Sequence, residues 1–150
     1  MRHQPRDPSA NLIRIIYAIF DKGKLMNTFQ KPKKLNVLNQ PLVSCCQSPM
    51  TGFFRDGYCH TNDQDYGRHV ICAQVTEEFL AFTKKRGNDL SKPVPDYGFP
   101  GLNPGDRWCL CAVRWKEALE NNCAPPVFLE SCEITALSVV SLEVLRKHQI

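Results

Sequence analysis

The sequence predicts a single α+β domain with a small mixed or antiparallel sheet and a few short helices. Its 150 residues fit one domain, since domains commonly hold about 100–150 residues. An apolar fraction of 43% and a charged fraction of 23% are ordinary values for a chain that builds a core. Strand-like and helix-like runs are grouped along the chain, which favours α+β over a regular βαβ alternation.

Two runs rich in β-branched and aromatic residues predict the main strands. The first is HVICAQV at residues 69–75, and the second is RWCLCAV at residues 107–113, directly after the turn signal PGD. Shorter strands are predicted over residues 35–39 and 127–130. Because side chains alternate along a strand, both cysteines of the second run point to one face of the sheet.

Helix start and stop signals predict the remaining regular elements. Thr76 is a good N-cap, two glutamates follow it in the first turn, and Gly87 ends the helix. A second helix is predicted over residues 114–120. Residues 134–140 and 141–148 predict one broken helix or two short ones at the end of the chain.

The longest segment without a predicted element runs over residues 88–106. It contains four prolines and three glycines, so no helix or strand fits it. Its aromatic residues Tyr97 and Phe99 indicate an ordered loop. Loops of this length in a compact domain are commonly functional, and we expect the working surface where this loop meets the 51–57 turn and the 109–111 strand.

The basic character of the chain lies at its beginning. The formal net charge is +4, but residues 1–34 hold eight of the 19 basic and two of the 15 acidic side chains. The remainder is slightly acidic, so no nucleic-acid partner is predicted. The apolar run at residues 11–20 is shorter than the roughly 20 residues of a spanning helix, so no membrane partner is predicted either.

We therefore expect two parts in the chain. Residues 1–33 form an N-terminal extension that is flexible or not native, and residues 34–150 form the domain. A second methionine, Met26, offers a later start, and the alternative is an N-terminal helix packed on the domain.

Cysteine is the unusual feature of the composition. The eight cysteines are Cys45, Cys46, Cys59, Cys72, Cys109, Cys111, Cys123 and Cys132. No secretory signal is recognisable, so a cytoplasmic location is predicted. Thiols stay reduced in that compartment, and paired structural disulfides are not expected.

Four side chains predict a thiol-rich site if the two main strands are neighbours. Cys72, Cys109, Cys111 and His69, joined by Cys59, would then converge and hold a zinc-like thiophilic metal. The paired C-x-x-C spacing of zinc fingers and ribbons is absent. Two alternatives stay open: simple burial of the cysteines, or a nucleophilic Cys109 or Cys111 with His69 as its base.

Charged residues beside glycine- and proline-marked turns form a second candidate set. Its members are Arg55, Asp56, Asp89, Asp106 and Arg107. Such arginine and aspartate side chains order loops through bidentate hydrogen bonds, or they line a pocket that binds a carboxylate or phosphate. Both interpretations remain open.

These residues predict a binding protein for a thiophilic metal or a small anionic ligand at the Cys109/Cys111 strand and its adjoining loops. The cofactor would be a zinc-like metal or none. The alternatives are a thiol-dependent enzyme and a protein-interaction module that uses Tyr97 and Phe99. The signatures G-x-x-x-x-G-K-[ST], G-x-S-x-G and H-E-x-x-H are absent, which removes the easily recognised nucleotide-binding, hydrolase and metalloprotease classes.

Several longer motifs resemble one family. They are MTGFFRDG (50–57), EFLAF (78–82), RGNDL (86–90), FPGL (99–102), PGDRWCLCA (104–112), RWKEA (114–118) and APP (124–126). Together they resemble DUF2237, small and mostly bacterial proteins of unknown function, over about residues 34–150. The resemblance implies no activity. It also implies a second cysteine at the position of Tyr58 in many members, which weakens Cys59 as a required ligand.

Overall fold

A computed structural model describes residues 34–150, so the expectation for residues 1–33 lies outside the described residues. In chain order the elements are β1 (His69–Gln74), α1 (Glu77–Lys85), β2 (Arg107–Cys111), α2 (Ala112–Glu120) and α3 (Leu142–Lys147). Short 3₁₀ turns occupy Pro95–Tyr97, Leu129–Ser131 and Ile134–Ser138. A two-stranded antiparallel sheet with three α-helices in this part of the chain confirms the α+β prediction.

The sheet is the buried centre of the domain. Strands β1 and β2 pair antiparallel with Cys72 opposite Cys109 and Ala73 opposite Trp108, and the register shifts between His69 and Ile71. The middle of both strands is buried. Both strands are therefore covered on their two faces, which explains why their sequences read as nearly continuous apolar runs.

Local capping fixes the helix boundaries. The side-chain oxygen of Thr76 accepts a hydrogen bond from the backbone N–H of Phe79 at 3.1 Å, as predicted for an N-cap. Ser141 caps α3 in the same way through Val144. Helix α2 follows β2 without a loop, so Cys111 is both the last residue of the strand and the N-cap residue of the helix.

Two predicted strands do not form. Over residues 35–39 the structure has only isolated bridges, from Leu35 to Pro41 and from Asn36 to Glu133, because a tight turn closes the segment on itself. Residues 127–130 contribute one bridge residue, Val127, before the chain enters a 3₁₀ turn. Strand β2 also ends earlier than predicted, since the N–H of Ala112 bonds to the carbonyl of Arg68 and α2 begins there.

Helix α2 and the end of the chain cover the sheet. Trp115 is fully buried and donates its indole N–H to the carbonyl of Pro125 at 2.9 Å, so the large ring carries no unpaired polar atom. Phe79 of α1 and Leu145 of α3 are fully buried in the same core. Within residues 34–150, no helix is both long enough and apolar enough to cross a bilayer.

Candidate functional site

Four of the cysteines form two disulfides, Cys45–Cys72 and Cys59–Cys109. The expectation that structural disulfides are absent is therefore wrong. Cys72 and Cys109 are directly opposite in the sheet, so their side chains lie on one face of it. The loops that carry Cys45 and Cys59 reach that face, and the sulfurs of Cys45, Cys59 and Cys109 all lie within 4.8 Å of one another.

The two disulfides keep the residues predicted as metal ligands from forming a single group. Cys72 and Cys109 are neighbours, but their sulfurs belong to different disulfides. Among the described residues, the group with three ligand atoms in metal-binding proximity is Cys45, Cys59 and Cys109, all buried. His69 and Cys111 are not members of that group.

Two aspartates of the predicted anion-binding set order their own loops. Asp56 accepts hydrogen bonds from the backbone N–H of Tyr58 at 3.1 Å and from the ring of His60 at 2.7 Å. Asp89 accepts from the backbone and the hydroxyl of Ser91. The hydrogen bonds that these carboxylates accept close local turns. Asp56 and Asp89 therefore order their loops, which is the first of the two interpretations of the set.

Asp106 and Arg107, also of the predicted anion-binding set, have structural partners as well. Asp106 accepts from the backbone N–H of Asn103 at 2.8 Å, which closes the turn before β2. The guanidinium of Arg107 lies 3.7 Å from the ring centroid of Phe128, beside a different cavity. Of the predicted set, Arg55 alone lines the cavity described next.

A cavity of about 280 Å³ lies where the 51–57 turn, the 88–106 segment and β2 meet. Its lining residues are Gly52, Phe53, Arg55, His69, Leu90, Val94, Tyr97, Phe99, Trp108 and Cys109. Most of these side chains are aromatic or aliphatic. The cavity therefore suits a small molecule with an apolar part and few polar groups.

Arg55 is held over the aromatic wall of this cavity. Its guanidinium carbon lies 4.9 Å from the ring centroid of Trp108 and 5.8 Å from that of Phe99. Partial burial lowers the pKa of this arginine from its ordinary value. Within residues 34–150, no carboxylate lies in ion-pair distance of Arg55.

A second cavity of about 230 Å³ adjoins the first and shares four lining residues with it. The shared residues are His69, Leu90, Trp108 and Cys109. The second cavity adds Cys111 and Arg114. His69 therefore stands between an aromatic compartment that contains Arg55 and a smaller one that contains a free thiol.

His69 is held by a buried carboxylate. Its ring Nδ1 lies 2.7 Å from Oδ1 of Asp65, while Oδ2 accepts from the backbone N–H of His69 at 2.8 Å and from the hydroxyl of Thr61 at 3.0 Å. The Asp65 side chain is 1% exposed and the His69 side chain is 40% exposed. The imidazole is therefore fixed at one nitrogen, and its ring remains open to solvent.

The hydrogen bonds to Asp65 also set its charge. Burial by itself raises the pKa of this carboxyl, but the hydrogen bonds and the charge interaction with His69, helped by Thr61, outweigh burial and lower its pKa overall. Asp65 was not identified from the sequence. The available signal was its position four residues before His69 in a polar loop, a spacing that many surface residues share.

Cys111 and His69 are neighbours across Gly67. The thiol of Cys111 donates to the carbonyl of Gly67 at 2.7 Å. A Cβ atom on Gly67 would lie 3.2 Å both from Sγ of Cys111 and from Cε1 of His69. A side chain at this position would crowd both groups, so the close approach of thiol and imidazole depends on glycine.

The free thiols differ in their surroundings. Cys46 and Cys111 are half-buried, whereas Cys123 and Cys132 are buried. Burial raises the pKa of the Cys132 thiol to about 12, and burial followed by the charge of Glu78 raises the pKa of Cys123. The thiolate is the reactive form, so the two buried thiols are poor nucleophiles.

We therefore expect selective alkylation of the native, non-reduced protein. Iodoacetamide at pH 8 should modify Cys46 and Cys111 and leave Cys132 unmodified until the protein is unfolded. Peptide mass spectrometry on a time course measures each site in the same sample. Early modification of Cys132 in folded protein would contradict its described burial.

Comparison with protein families identifies the chain. Residues 35–149 match the family model DUF2237, described as an uncharacterized protein conserved in bacteria. The chain belongs to this family. No curated protein matches it. The DUF2237 match covers all the residues of both cavities and both disulfides, but it carries no reaction or ligand, so function has to be argued from the site.

Proposed function

We propose that this DUF2237 protein binds a small organic anion with a flat apolar part in the 280 Å³ cavity. The observation that carries the proposal is Arg55, a cation placed over Trp108 and Phe99 without a carboxylate partner in the described part of the chain. A guanidinium presents several donors in one plane and binds carboxylates in a bidentate manner. A ligand carboxylate would supply the missing charge.

The lining and the volume of this cavity determine the size and the apolar part of the ligand. Trp108, Phe99 and Leu90 offer apolar surface in the lining, and a flat ring stacks or packs edge-on against such residues. A volume of about 280 Å³ is near the lower end of the range for small-molecule sites, which is roughly 300–1,000 Å³. One ring with one acidic group fits these constraints.

The charge of the two cavities supports an anionic ligand. The described lining residues include Arg55 and Arg114, and no aspartate or glutamate lines either cavity. Arg114 is engaged by Glu117 at 3.3 Å, so it contributes less than Arg55. The local excess of positive groups contrasts with the slightly acidic composition of residues 35–150.

Substitution of Arg55 should weaken the binding of benzoate by roughly 10- to 100-fold, the equivalent of a charge-assisted hydrogen bond. Arg55→Ala removes the cation, and Arg55→Lys keeps the charge without the planar fork. Titration calorimetry with benzoate, and tryptophan fluorescence as a second signal, measure the dissociation constant. Arg107→Ala is the matched control, because Arg107 also covers an aromatic ring but lies at another cavity.

The outcomes separate the open interpretations. Equal benzoate affinity in Arg55→Ala and wild type would refute the anion site. Absence of any ligand binding, together with capture of a partner protein that Tyr97→Ser abolishes, would favour the protein-interaction alternative, since Tyr97 is 79% exposed.

A thiophilic metal is the second candidate, and it concerns the reduced protein. The observation that favours it is the proximity of three buried sulfurs, Cys45, Cys59 and Cys109, with Cys72 bonded to the first of them. Reduction of both disulfides would leave four thiols in one place, a ligand set that suits zinc. The predicted cytoplasmic location would favour this state, whereas buried disulfides are typical of oxidising compartments.

Elemental analysis distinguishes the two states. Untagged protein purified without oxygen and fully reduced should retain about one equivalent of zinc after dialysis, while the disulfide form should retain none at these cysteines. Substoichiometric zinc in every reduced preparation would refute the metal candidate. The benzoate titration uses the disulfide form of the protein, so it tests the anion site separately from zinc binding by the reduced form.

A further inference from the structure

We infer that Cys111 is the nucleophile of an acyl-transfer site in which His69 is the general base and Asp65 positions the imidazole. The sequence alone left Cys109 and Cys111 as equal candidates, but Cys109 is bonded to Cys59, so the free thiol of the pair is Cys111. The substrate class is a small ester or thioester. The inference rests on the proposed cavity only for where the remainder of the substrate lies.

The geometry of Asp65 and His69 carries the first step of the argument. A buried carboxylate bonded to Nδ1 selects the tautomer in which Nδ1 carries the proton and Nε2 is free to accept one. The same carboxylate also accepts the backbone N–H of His69, which fixes the carboxylate beside the ring that it orients. A purely structural histidine does not need an open second nitrogen.

The position of Cys111 carries the second step. Cys111 lies opposite His69 in the register of the two strands, and a Cβ atom on Gly67 would lie 3.2 Å from both Sγ of Cys111 and Cε1 of His69. Cys111 is also the residue that immediately precedes the nine-residue helix α2. The N–H of Ala112 bonds to the carbonyl of Arg68, but the following N–H groups in the first turn of a helix have no partner inside the helix, and such groups favour the oxyanion of an attacked carbonyl.

The adjoining cavities carry the third step. His69 lines both of them, so a substrate attacked at Cys111 can extend past His69 into the compartment that contains Arg55. Asp65 lies behind the imidazole and is almost fully buried, so it does not meet the substrate. Asp65 is therefore a positioning residue, whereas Cys111 and His69 are catalytic residues.

The reaction balances without a cofactor or oxidant. The Cys111 thiol, which donates to the carbonyl of Gly67 in this structure, turns from that carbonyl and gives its proton to Nε2 of His69 while sulfur bonds to the acyl carbon of the ester or thioester. The bond from that carbon to the leaving oxygen or sulfur breaks, and the leaving group takes the proton from His69. Water, deprotonated by His69, then attacks the acyl carbon, the carbon–sulfur bond breaks, and the Cys111 sulfur takes the proton back from His69. The products are a carboxylic acid and an alcohol or thiol, and the thiol of Cys111 is restored.

The test uses p-nitrophenyl acetate, a neutral ester whose leaving group is coloured. Non-reduced wild-type protein should release a burst close to one equivalent of p-nitrophenolate and carry one acetyl group on the peptide that contains Cys111. Cys111→Ser should abolish the burst, and His69→Asn should slow it by about 100-fold or more. Cys46→Ser is the control, because Cys46 is the other half-buried free thiol.

For Asp65→Asn, the measurement must distinguish loss of positioning from loss of folding. In a folded Asp65→Asn protein, checked by near-ultraviolet circular dichroism, the burst should slow and its pH–rate profile should change shape as is expected for His69→Asn.

A second test needs no variant. Iodoacetamide at pH 7 should modify Cys111 at least about 10-fold faster than Cys46 in the same wild-type molecule.

The inference would be overturned if the acetyl group were found on Cys46 or spread over lysines. It would also be overturned if His69→Asn left the burst unchanged. The outcome is separable from that of the anion site, because p-nitrophenyl acetate carries no anionic group, whereas benzoate does. Acylation without benzoate binding would refute only the anion site. Benzoate binding without acylation would refute only the nucleophile.

Discussion

Joint replacement of Cys59 and Cys109 by serine should lower the free energy of unfolding by about 4 kcal/mol. The disulfide joins residues 50 positions apart in the sequence, and closing a loop of that length removes much conformational freedom from the unfolded chain. Both residues are buried, so the serine hydroxyls also enter a dry environment. This single covalent link therefore supplies a large part of the stability that a small domain has.

Urea unfolding followed by tryptophan fluorescence measures the loss, with the slope of the transition checked for each variant. Replacing both cysteines avoids a lone unpaired thiol that could form a wrong disulfide. Cys46→Ser serves as the control because it removes a free thiol near the same loop. A loss below about 1 kcal/mol for the double variant would show that packing, and not the crosslink, holds this loop.

The same double variant should also impair the ligand cavity. Cys109 lines that cavity, and its backbone N–H donates to the hydroxyl of Thr51 at 2.8 Å, which ties the 51–57 turn to β2. Without the disulfide, Cys59, which follows the turn by two residues, loses its covalent link to the strand, so the turn and Arg55 on it are held less firmly. Benzoate should bind more weakly to the folded double variant than to wild type, in the direction expected for Arg55→Ala.

The elements that could be predicted from the sequence are those fixed by neighbouring residues. Thr76 and Ser141 are followed by helices because an N-cap acts within one turn, and β1 is continuous because its apolar run is covered on both sides. The strand predicted at residues 127–130 failed because pairing partners decide a short strand. Val127 bridges Ala73 and Gln149, and the chain then turns away.

The candidate site depends mainly on contacts between distant residues. Cys59 meets Cys109 across 50 positions, and no local pattern specifies that pairing. Arg55 reaches Trp108 only because the 51–57 turn folds over β2. The cysteines, His69 and Arg55 could thus be nominated from residue type, while their grouping required the register of the sheet and the path of the loops.

Replacement of Asp65 by asparagine should cost roughly 3 kcal/mol of stability at pH 7, the largest effect expected from a single polar substitution in this domain. The carboxylate accepts three hydrogen bonds, two of them from His69 and one from Thr61, in a buried position. An amide has one acceptor oxygen, and its NH₂ group would face the donors. Asp63→Asn is the control, since Asp63 is an exposed carboxyl two residues away.

The pH dependence of this difference identifies its cause. The pKa of Asp65 is lowered in the folded protein, so the unfolded chain takes up the proton first as the pH falls. The stabilisation is therefore present in full above the unfolded value of about 3.9 and is lost as the pH drops through the lower folded pKa. Urea unfolding from pH 7 downwards should show wild type and Asp65→Asn converging below about pH 4. A pH-independent gap would mean that the substitution acts through packing and that the charge of Asp65 does not hold His69.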